Sequence, residues 1–323
     1  LFALVNSAGR IANGTMTIGQ ALIVLMLSYS YFASAKELMN ASHSALTAIA
    51  AAGKVEEILD TDTTRPYEPS LPADPEHFEG IRMDHVSYGY EGRSRALQDI
   101  SLTVPKGKTV AMVGLSGCGK STTASLLMRF CDPLSGNIYI EGKDYCSMKP
   151  EELRKHIAMV PQQVNLFSGT IRENLLLADP GAKDAALLEA LEEAGLGAFI
   201  RSQSKGLDSD VGNAGSSLSG GQRQKMGIAR ALLSKAEYMI FDEATSSVDP
   251  QSEKEIWETI GHLAESRTLI IISHRMSSVQ NADCIYVLRD GRVAQHGTHE
   301  ALMADGGLYK ELVVRQQAME VAE

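Results

Sequence analysis

The chain has 323 residues, of which 44% are hydrophobic and 22% charged, a composition typical of globular domains. Its formal net charge of -10 at pH 7 argues against a nucleic-acid partner, because such proteins usually carry a basic excess or stripe. The four cysteines match no zinc-ligand spacing, and we interpret them as reduced thiols in a cytosolic setting. Because the first residue is Leu1 rather than methionine, we expect the chain to be a fragment of a longer protein.

An apolar stretch near the N-terminus predicts a membrane helix at about 15–35. No charged residue occurs between Arg10 and Lys36, and a bilayer core requires about 20 predominantly apolar residues in a helix. A buried core helix is the alternative interpretation. A helical pattern of apolar residues continues to about Leu59. We interpret this part as a cytosolic extension, so that 1–60 forms the end of a transmembrane domain.

The middle of the chain changes character after this helix. Four prolines fall between Pro66 and Pro75, and because proline interrupts helices they predict a linker at 61–80. From Ile81 onward, short β-rich runs alternate with helical stretches, which predicts an α/β fold. Buried parallel strands have continuous apolar runs, as in Thr109–Val113. The predicted strands are 100–104, 109–113, 157–160, 238–241, 269–273 and 284–288, with a hairpin from the last of them into 292–294.

A glycine-rich segment, Gly114–Ser121, has the pattern G-x-x-x-x-G-K-S between a predicted strand and a helical run. This is the phosphate-binding loop of nucleoside triphosphate-binding proteins, and the pattern alone does not distinguish a kinase, a GTPase and a transporter. Lys120 is expected to reach the β- and γ-phosphates and the Ser121 hydroxyl to bind Mg²⁺. Cys118 lies among the loop amides and near Lys120, surroundings that predict a lowered thiol pKa. The expected ATP-binding residues are Gly114, Ser116, Gly117, Cys118, Gly119, Lys120, Ser121 and Thr122.

A second glycine-rich segment, Leu218–Gln222, precedes a helical run about 100 residues after the phosphate-binding loop. It resembles the signature motif of the ABC transporter family. The resemblance implies a dimer in which this segment covers the γ-phosphate held by the partner's phosphate-binding loop, and a helix start is suited to binding an anion. A glycine-rich turn that only caps a helix is the alternative. The expected nucleotide contacts here are Ser219, Gly220, Gly221 and Gln222.

Two further motifs follow in the order of that family. The run Tyr238–Glu243 resembles the Walker B strand, which implies that Asp242 binds Mg²⁺ and that Glu243 is the general base or orients the attacking water. His274 follows an apolar strand and matches the switch histidine, which implies contact with the γ-phosphate. We therefore expect Glu243 and His274 to be catalytic.

Three other positions are assigned by the same resemblance. Gln162 corresponds to the glutamine that reaches Mg²⁺ or the attacking water, so it is expected to bind the metal and to be catalytic, with Gln163 as the competing candidate. Tyr90 corresponds to the aromatic residue that stacks on adenine, and Tyr88 is interpreted as a packing residue. Asp249 is assigned to the nucleotide-binding residues and ends the sequence S-S-V-D, where the family commonly has S-A-L-D.

The resemblance covers 81–317 and leaves 318–323 as a C-terminal tail. It implies a P-loop NTPase of the ABC ATPase type, with a mixed core sheet, an antiparallel β part and a helical subdomain, preceded by a transmembrane helix segment. It further implies an exporter-type half-transporter in the cell (inner) membrane, multi-pass in its full length, with a cytoplasmic ATPase domain. The partner would be a second nucleotide-binding domain, in a homodimer or a heterodimer. The cofactors implied are ATP and Mg²⁺.

Alternatives remain at the level of function. An importer with an exporter-like layout, a non-transport ABC ATPase and a module that holds ATP without turnover are the other interpretations. Asn213 departs from the exporter pattern, because a glutamate that contacts the intracellular loops is usual there. The coupling contact at Asn213 is therefore in doubt, and the transported substrate is not indicated by the sequence.

Overall fold

The computed structural model describes residues 2–60, 78–90, 95–245 and 248–320. The chain divides into two compact units, Leu1–Pro66 and Tyr67–Glu323. Most of the predicted linker lies outside the described residues, which include only its last three positions, 78–80.

The first unit consists of two helices, α1 (Phe2–Ala12) and α2 (Ile18–Leu59), which pack against each other. Thr17 caps α2: its hydroxyl accepts from the Gln20 N–H at 3.3 Å, and the Gln20 side chain accepts from the Thr17 N–H at 3.0 Å. The segments predicted as a membrane helix and its extension form one continuous helix of 42 residues.

Helix α2 is the one helix, among the described residues, that is long and apolar enough to cross a membrane by length and composition. Seven large apolar side chains between residues 22 and 32 are more than half exposed in this structure. They are Leu22, Ile23, Met26, Leu27, Tyr29, Tyr31 and Phe32. A core helix of a soluble protein buries such side chains, so their exposure favours a membrane helix over a buried core helix.

Two β-sheets form the framework of the second unit. The strands are β1 (Gly80–Gly89), β2 (Arg95–Pro105), β3 (Thr109–Val113), β4 (Ser135–Ile140), β5 (Lys143–Asp144), β6 (Ile157–Val160), β7 (Tyr238–Asp242), β8 (Thr268–Ile272), β9 (Cys284–Arg289) and β10 (Arg292–Gly297). An antiparallel sheet has the order β2-β1-β4-β5, and a larger sheet has the order β10-β9-β3-β8-β7-β6. All neighbours in the larger sheet are parallel except β9 and β10, which form an antiparallel hairpin. The predicted mixed core sheet with an antiparallel β part is therefore confirmed.

Helices cover the larger sheet and extend from it. They are α3 (Lys120–Leu127), α4 (Pro150–His156), α5 (Ile171–Leu176), α6 (Asp184–Glu193), α7 (Gly197–Ser202), α8 (Gly220–Leu233), α9 (Pro250–Ala264), α10 (His299–Asp305) and α11 (Gly307–Glu320). Short 3₁₀ turns occur at Tyr145–Ser147, Gly206–Asp208, Asn213–Gly215 and Met276–Ser278. Helix α11 continues to Glu320, two residues beyond the predicted start of the tail at 318.

The larger sheet separates two buried cores. Successive side chains of a strand point to opposite faces, so Ala111 and Val113 of β3 lie in the core that includes α8 and α9. Val110 and Met112 lie in the other core, with the antiparallel sheet and α3. Every residue of β3, β7 and β8 is buried, as expected for parallel strands that are covered on both faces.

A buried asparagine ties the segment that follows β6 to helix α8. Asn174 in α5 is 1% exposed; its side chain accepts from the Phe167 N–H and donates to the Phe167 carbonyl, both at 2.9 Å. Arg230 of α8 donates to the Asn174 side-chain oxygen at 2.6 Å and to the Asn174 carbonyl at 2.9 Å. Arg230 also donates to the Asn165 carbonyl at 2.7 Å. The segment after β6, α5 and α8 are thereby held as one piece.

Replacing this asparagine tests its structural role. Asn174→Ala removes the side-chain oxygen that accepts from both the Phe167 N–H and the Arg230 guanidinium. This loss should cost about 2–3 kcal/mol of unfolding free energy. For a unit of this size we expect a fall in Tm of roughly 5–10 °C. The matched control is Asn165→Ala, since the Asn165 side chain is exposed and only its carbonyl is used. Equal Tm values for the two variants would contradict the structural role of Asn174.

Candidate nucleotide-binding site

The loop between β3 and α3 is shaped by glycines that the surrounding structure requires. Gly114 has a φ of +150°, and a Cβ there would lie 2.3 Å from the Leu288 carbonyl oxygen. Gly119 has a φ of +110°, and a Cβ there would lie 2.4 Å from Leu97 Cδ2. Neither position accommodates a side chain, so the loop packs tightly against β2 and β9 while its other side faces a pocket.

Lys120 is folded back onto the loop that precedes it. Its ammonium donates to the Gly114 carbonyl at 2.8 Å and to the Leu115 carbonyl at 3.1 Å, and the side chain is buried. These two carbonyls provide the hydrogen-bond acceptors that the buried ammonium needs, because a buried charge without partners is costly.

The prediction that the pKa of the Cys118 thiol is lowered is wrong. Burial raises the pKa of its thiol, because the side chain is only 6% exposed and the charged thiolate is disfavoured there. The Lys120 ammonium, 3.9 Å from the Cys118 sulfur, acts in the opposite direction without reversing the effect. The sequence showed the neighbouring cation but not the burial.

The two carboxylates at the end of β7 have different surroundings. Asp242 is buried and accepts from the Ser121 hydroxyl at 3.4 Å. Burial raises the pKa of Asp242, the neighbouring Glu243 carboxylate adds to the rise, and the Ser121 hydrogen bond and the Lys120 charge oppose it. Such a carboxylate is stabilised in its charged form by a cation placed beside it.

Glu243 is held in an uncommon backbone conformation next to a histidine. Its φ is +49°, and its N–H donates to the Ile272 carbonyl at 2.9 Å. The Glu243 carboxylate lies 3.7 Å from Nδ1 of His274, which is half exposed. Non-glycine residues rarely adopt a positive φ. The surrounding structure must therefore hold Glu243 in this backbone conformation.

A pocket of about 520 Å³ opens beside these groups. Its lining includes Tyr90 and Thr122, whose hydroxyl oxygens are 3.5 Å apart. Tyr90 is about half exposed, and its ring meets that of the partly buried Tyr88 edge-on at 5.1 Å. The lining residues are Tyr90, Ala96, Gln98, Ser116, Gly117, Gly119, Lys120, Ser121, Thr122, Glu243, Asp290 and Gly291.

Four of these lining residues were missed by the sequence analysis: Ala96, Gln98, Asp290 and Gly291. Asp290 and Gly291 form the turn of the predicted hairpin between β9 and β10, but nothing in the local sequence shows that this turn reaches the phosphate-binding loop. It does so because β9 pairs with β3. The Gly291 N–H donates to the Cys118 carbonyl at 3.2 Å, and Gln98 N–H donates to the Gly291 carbonyl at 2.7 Å.

The signature segment forms the start of α8 and does not line this pocket. The Ser219 hydroxyl accepts from the Gln222 N–H at 3.1 Å, and the Gln222 side chain accepts from the Ser219 N–H at 2.9 Å. This reciprocal cap leaves the N–H groups of Gly220 and Gly221 in the first turn without intrahelical acceptors. A Cβ at Gly221 would lie 2.4 Å from the Ser252 hydroxyl, so this glycine is also needed for packing against α9.

Gln162 and Asp249 also lie outside the pocket lining, as do Gly114, Cys118, Asp242 and His274. Gln162 is exposed, and its loop is fixed by the Gln224 side chain, which donates to the Pro161 carbonyl at 2.9 Å. Asp249 is the N-cap of α9 and accepts from the Ser252 N–H at 3.0 Å. Hydrogen bonding to Ser252 lowers the pKa of Asp249. The two serines before Val248, at 246 and 247, lie outside the described residues.

Asn213, the departure from the exporter pattern, lies beside the segment that follows Gln162. Its side-chain oxygen accepts from the Ser168 hydroxyl at 3.2 Å, and both residues are exposed. The neighbouring Phe167 side chain is 66% exposed. Asn213 therefore has a local partner within this unit.

Comparisons with known proteins agree with this geometry. Residues 97–246 match the family model described as ABC transporter. The chain is 39% identical over 319 residues to the ATP-dependent lipid A-core flippase of Chromobacterium violaceum, covering 97% of this chain and 53% of the flippase. It is 40% identical over 303 residues to the flippase of the same name from Neisseria meningitidis serogroup B, covering 93% of this chain and 48% of that protein.

A solved structure with the same arrangement is that of a bacterial Atm1-family ABC exporter with ATP bound. It matches with a TM-score of 0.75 and 34% identity, over 98% of this chain and 56% of that one. The chain thus spans about half the length of the relatives it matches. The phosphate-binding loop and Glu243 line one pocket, with His274 beside Glu243 and Asp242 beside Ser121. The chain therefore contains the ATP-binding domain of the ABC transporter family, and its relatives include ABC exporters.

Proposed function

We propose that this chain is the ATP-hydrolysing part of an ABC exporter, which couples ATP-driven dimerisation to movement of a substrate across a membrane. The observation that carries the proposal is the meeting of Lys120, Asp242, Glu243 and His274 where three adjacent parallel strands end. A module that only holds ATP has no need of a carboxylate and an imidazole next to the phosphate site.

The pocket fits a nucleoside triphosphate. Its volume lies within the range of about 300–1,000 Å³ that is usual for small-molecule sites. Tyr90 is placed to stack on the base, and the loop amides and Lys120 to bind the phosphates. Lys120 leaves the carbonyls of Gly114 and Leu115 when it reaches the β- and γ-phosphates, so those backbone acceptors are exchanged for charged ones.

The oxygen donors beside the phosphate loop fit Mg²⁺. The ion usually takes one or two carboxylates together with substrate phosphates and waters, and Ser121 with the buried Asp242 offers one hydroxyl and one carboxylate. When bound, Mg²⁺ neutralises charge on the β- and γ-phosphates. The assignment of Gln162 as a third ligand rests on the family resemblance.

Hydrolysis transfers the γ-phosphoryl group to water and yields ADP and phosphate. Glu243, which lines the pocket, would accept a proton from the attacking water. His274, 3.7 Å from Glu243, is placed to orient that carboxylate and to donate to a γ-phosphate oxygen. Most of the catalysis in such reactions comes from positioning and electrostatic stabilisation.

Two chains complete each site in this proposal. The pocket of one chain contains no residue of its own signature segment, whereas the start of α8 offers Ser219 and amides suited to an anion. We propose that this segment covers the γ-phosphate of a partner chain, in a homodimer or with a second half-transporter. We further propose that helix α2 belongs to the membrane domain and that the ATPase unit is cytoplasmic, as the family resemblance implies.

Loss of the proposed base tests hydrolysis directly. Glu243→Gln keeps the shape of the side chain but removes its basicity, so phosphate release from MgATP should fall by about 100-fold or more. Binding of a fluorescent ATP analogue should persist. Glu265→Gln is the matched control, because Glu265 is an exposed glutamate at the end of α9. Equal, near-zero release by the wild type and Glu243→Gln would instead support a module that holds ATP without turnover.

Mixing two inactive variants tests the shared site. Lys120→Ala disables the phosphate loop, and Ser219→Arg blocks the signature segment, so each variant alone should be inactive. If the sites are shared, a mixed dimer retains one intact site and should recover up to about half of the wild-type rate. As the control, a chain carrying both substitutions is mixed with the wild type, and these mixed dimers should be inactive. The reverse pattern would show that each chain forms its own complete site.

Substrate stimulation tests the transport part of the proposal. The complete transporter in lipid vesicles should hydrolyse ATP faster when its substrate is added, because the substrate shifts the dimer toward its active arrangement. Lipids are the first class to test, since two relatives are flippases for lipid A-core, followed by drugs, peptides and metal–siderophore complexes. A stimulation that persists in Glu243→Gln would contradict coupling through this site.

A further inference from the structure

The turn that follows His274 is closely hydrogen-bonded. The Ser273 hydroxyl accepts from the Arg275 N–H at 2.9 Å, and the Ser278 hydroxyl donates to the Arg275 carbonyl at 2.6 Å. The Met276 N–H donates to the Gln316 side chain of α11 at 2.7 Å. His274 itself is half exposed, so its position depends on how this turn is held.

An ion pair joins this turn to helix α9. The Arg275 guanidinium donates to the Glu253 carboxylate, whose side chain is only 14% exposed. The second oxygen of the same carboxylate accepts from the Thr245 hydroxyl at 3.1 Å. Thr245 is buried and follows Glu243 by two residues.

One carboxylate therefore connects the chain just after His274 with the chain just after Glu243. The two residues leave the sheet from different strands, β8 and β7, and their side chains meet at 3.7 Å. The strands fix where both segments start, but they do not fix the segments beyond the sheet. The contacts of Glu253 with Arg275 and Thr245 connect the two segments beyond the sheet.

We propose that Arg275 is a positioning residue for ATP hydrolysis, which acts through Glu253 and Thr245 to hold His274 and Glu243 in register. The inference rests on the proposed hydrolysis at this site. Arg275 and Glu253 do not line the nucleotide pocket. Loss of the link should therefore lower the rate of the chemical step and leave nucleotide affinity unchanged, because a small misplacement of reacting groups slows chemistry more than binding.

The test compares steady-state phosphate release by the wild-type chain, Arg275→Ala and Arg275→Lys. Arg275→Ala should lower kcat by about tenfold or more, with KM for ATP and the Kd of a non-hydrolysable ATP analogue within about twofold of the wild type. Arg275→Lys keeps a charge that can reach Glu253 and should recover kcat to within about threefold. Lys254→Ala is the matched control and should match the wild type, since Lys254 is the exposed neighbour of Glu253 on α9.

A second variant addresses the case in which Arg275→Ala fails to fold. Thr245→Val is close to isosteric and removes only the hydroxyl link to Glu253, so it should lower kcat by about threefold or more while the Kd stays unchanged. An Arg275→Ala kcat within about twofold of the wild type, or a Kd that weakens in step with kcat, overturns the inference alone. A wild type no faster than Glu243→Gln overturns both the inference and the proposed function.

Discussion

Parallel pairing of β3, β8 and β7 is the constraint on which the rest of the site depends. Met112 pairs with Ile272, and Ile272 with Asp242, so the three strands end at the same level. The ladder continues one residue further, with the Ser273 N–H bonded to the Met112 carbonyl and the Glu243 N–H to the Ile272 carbonyl. The segments that carry the phosphate loop, the carboxylates and the histidine thus start from positions fixed by backbone hydrogen bonds among buried strands.

Gln162 and the signature segment, which are proposed to complete the site, lie outside this group of strands. Gln224 and Arg230 of α8 hold the backbone at Pro161 and Asn165, and Gly227 lies against Val164. Gln162 and the signature segment at the start of α8 therefore belong to one packed body, although they are about 60 residues apart in the chain. A displacement of this body moves both groups together relative to the phosphate loop. In the proposed mechanism, a single motion of this body would assemble or dismantle the hydrolytic site.

Much of the fold could be predicted because parallel strands that are buried on both faces have continuous apolar runs. The runs at 109–113, 157–160 and 238–241 lie within strands of the larger sheet, and the run predicted at 269–273 is shifted by one residue to Thr268–Ile272. Strands β1, β4 and β5 were not predicted. Strand β1 pairs irregularly after Met83, after Val86 and after Tyr88. Local patterns describe regular strands well and bulged ones poorly.

The site was predictable where one short segment carries a complete chemical function, as in Gly114–Ser121. The site was not predictable where contacts between distant parts of the chain determine the position or the pKa of a group. The approach of Gly291 to Cys118, the burial that raises the Cys118 pKa and the link from Arg275 to Thr245 each join positions that are far apart in sequence. The roles of Gln162, Asp249 and the signature residues stay predictions from resemblance, because they lie outside the pocket of a single chain.

The packing of the phosphate loop bears on how its glycines can be used as experimental probes. A methyl group at Gly119 would strike Leu97 and the Ala96 carbonyl, which belong to the protein's own framework. A methyl group at Gly117 would meet nothing within 4 Å, and Gly117 lines the pocket. An inactive alanine variant at Gly119 therefore reports on assembly of the loop against β2 and carries no information about phosphate recognition. At Gly117, once the modest strain of its positive φ is allowed for, the same substitution reports on the space available to the ligand.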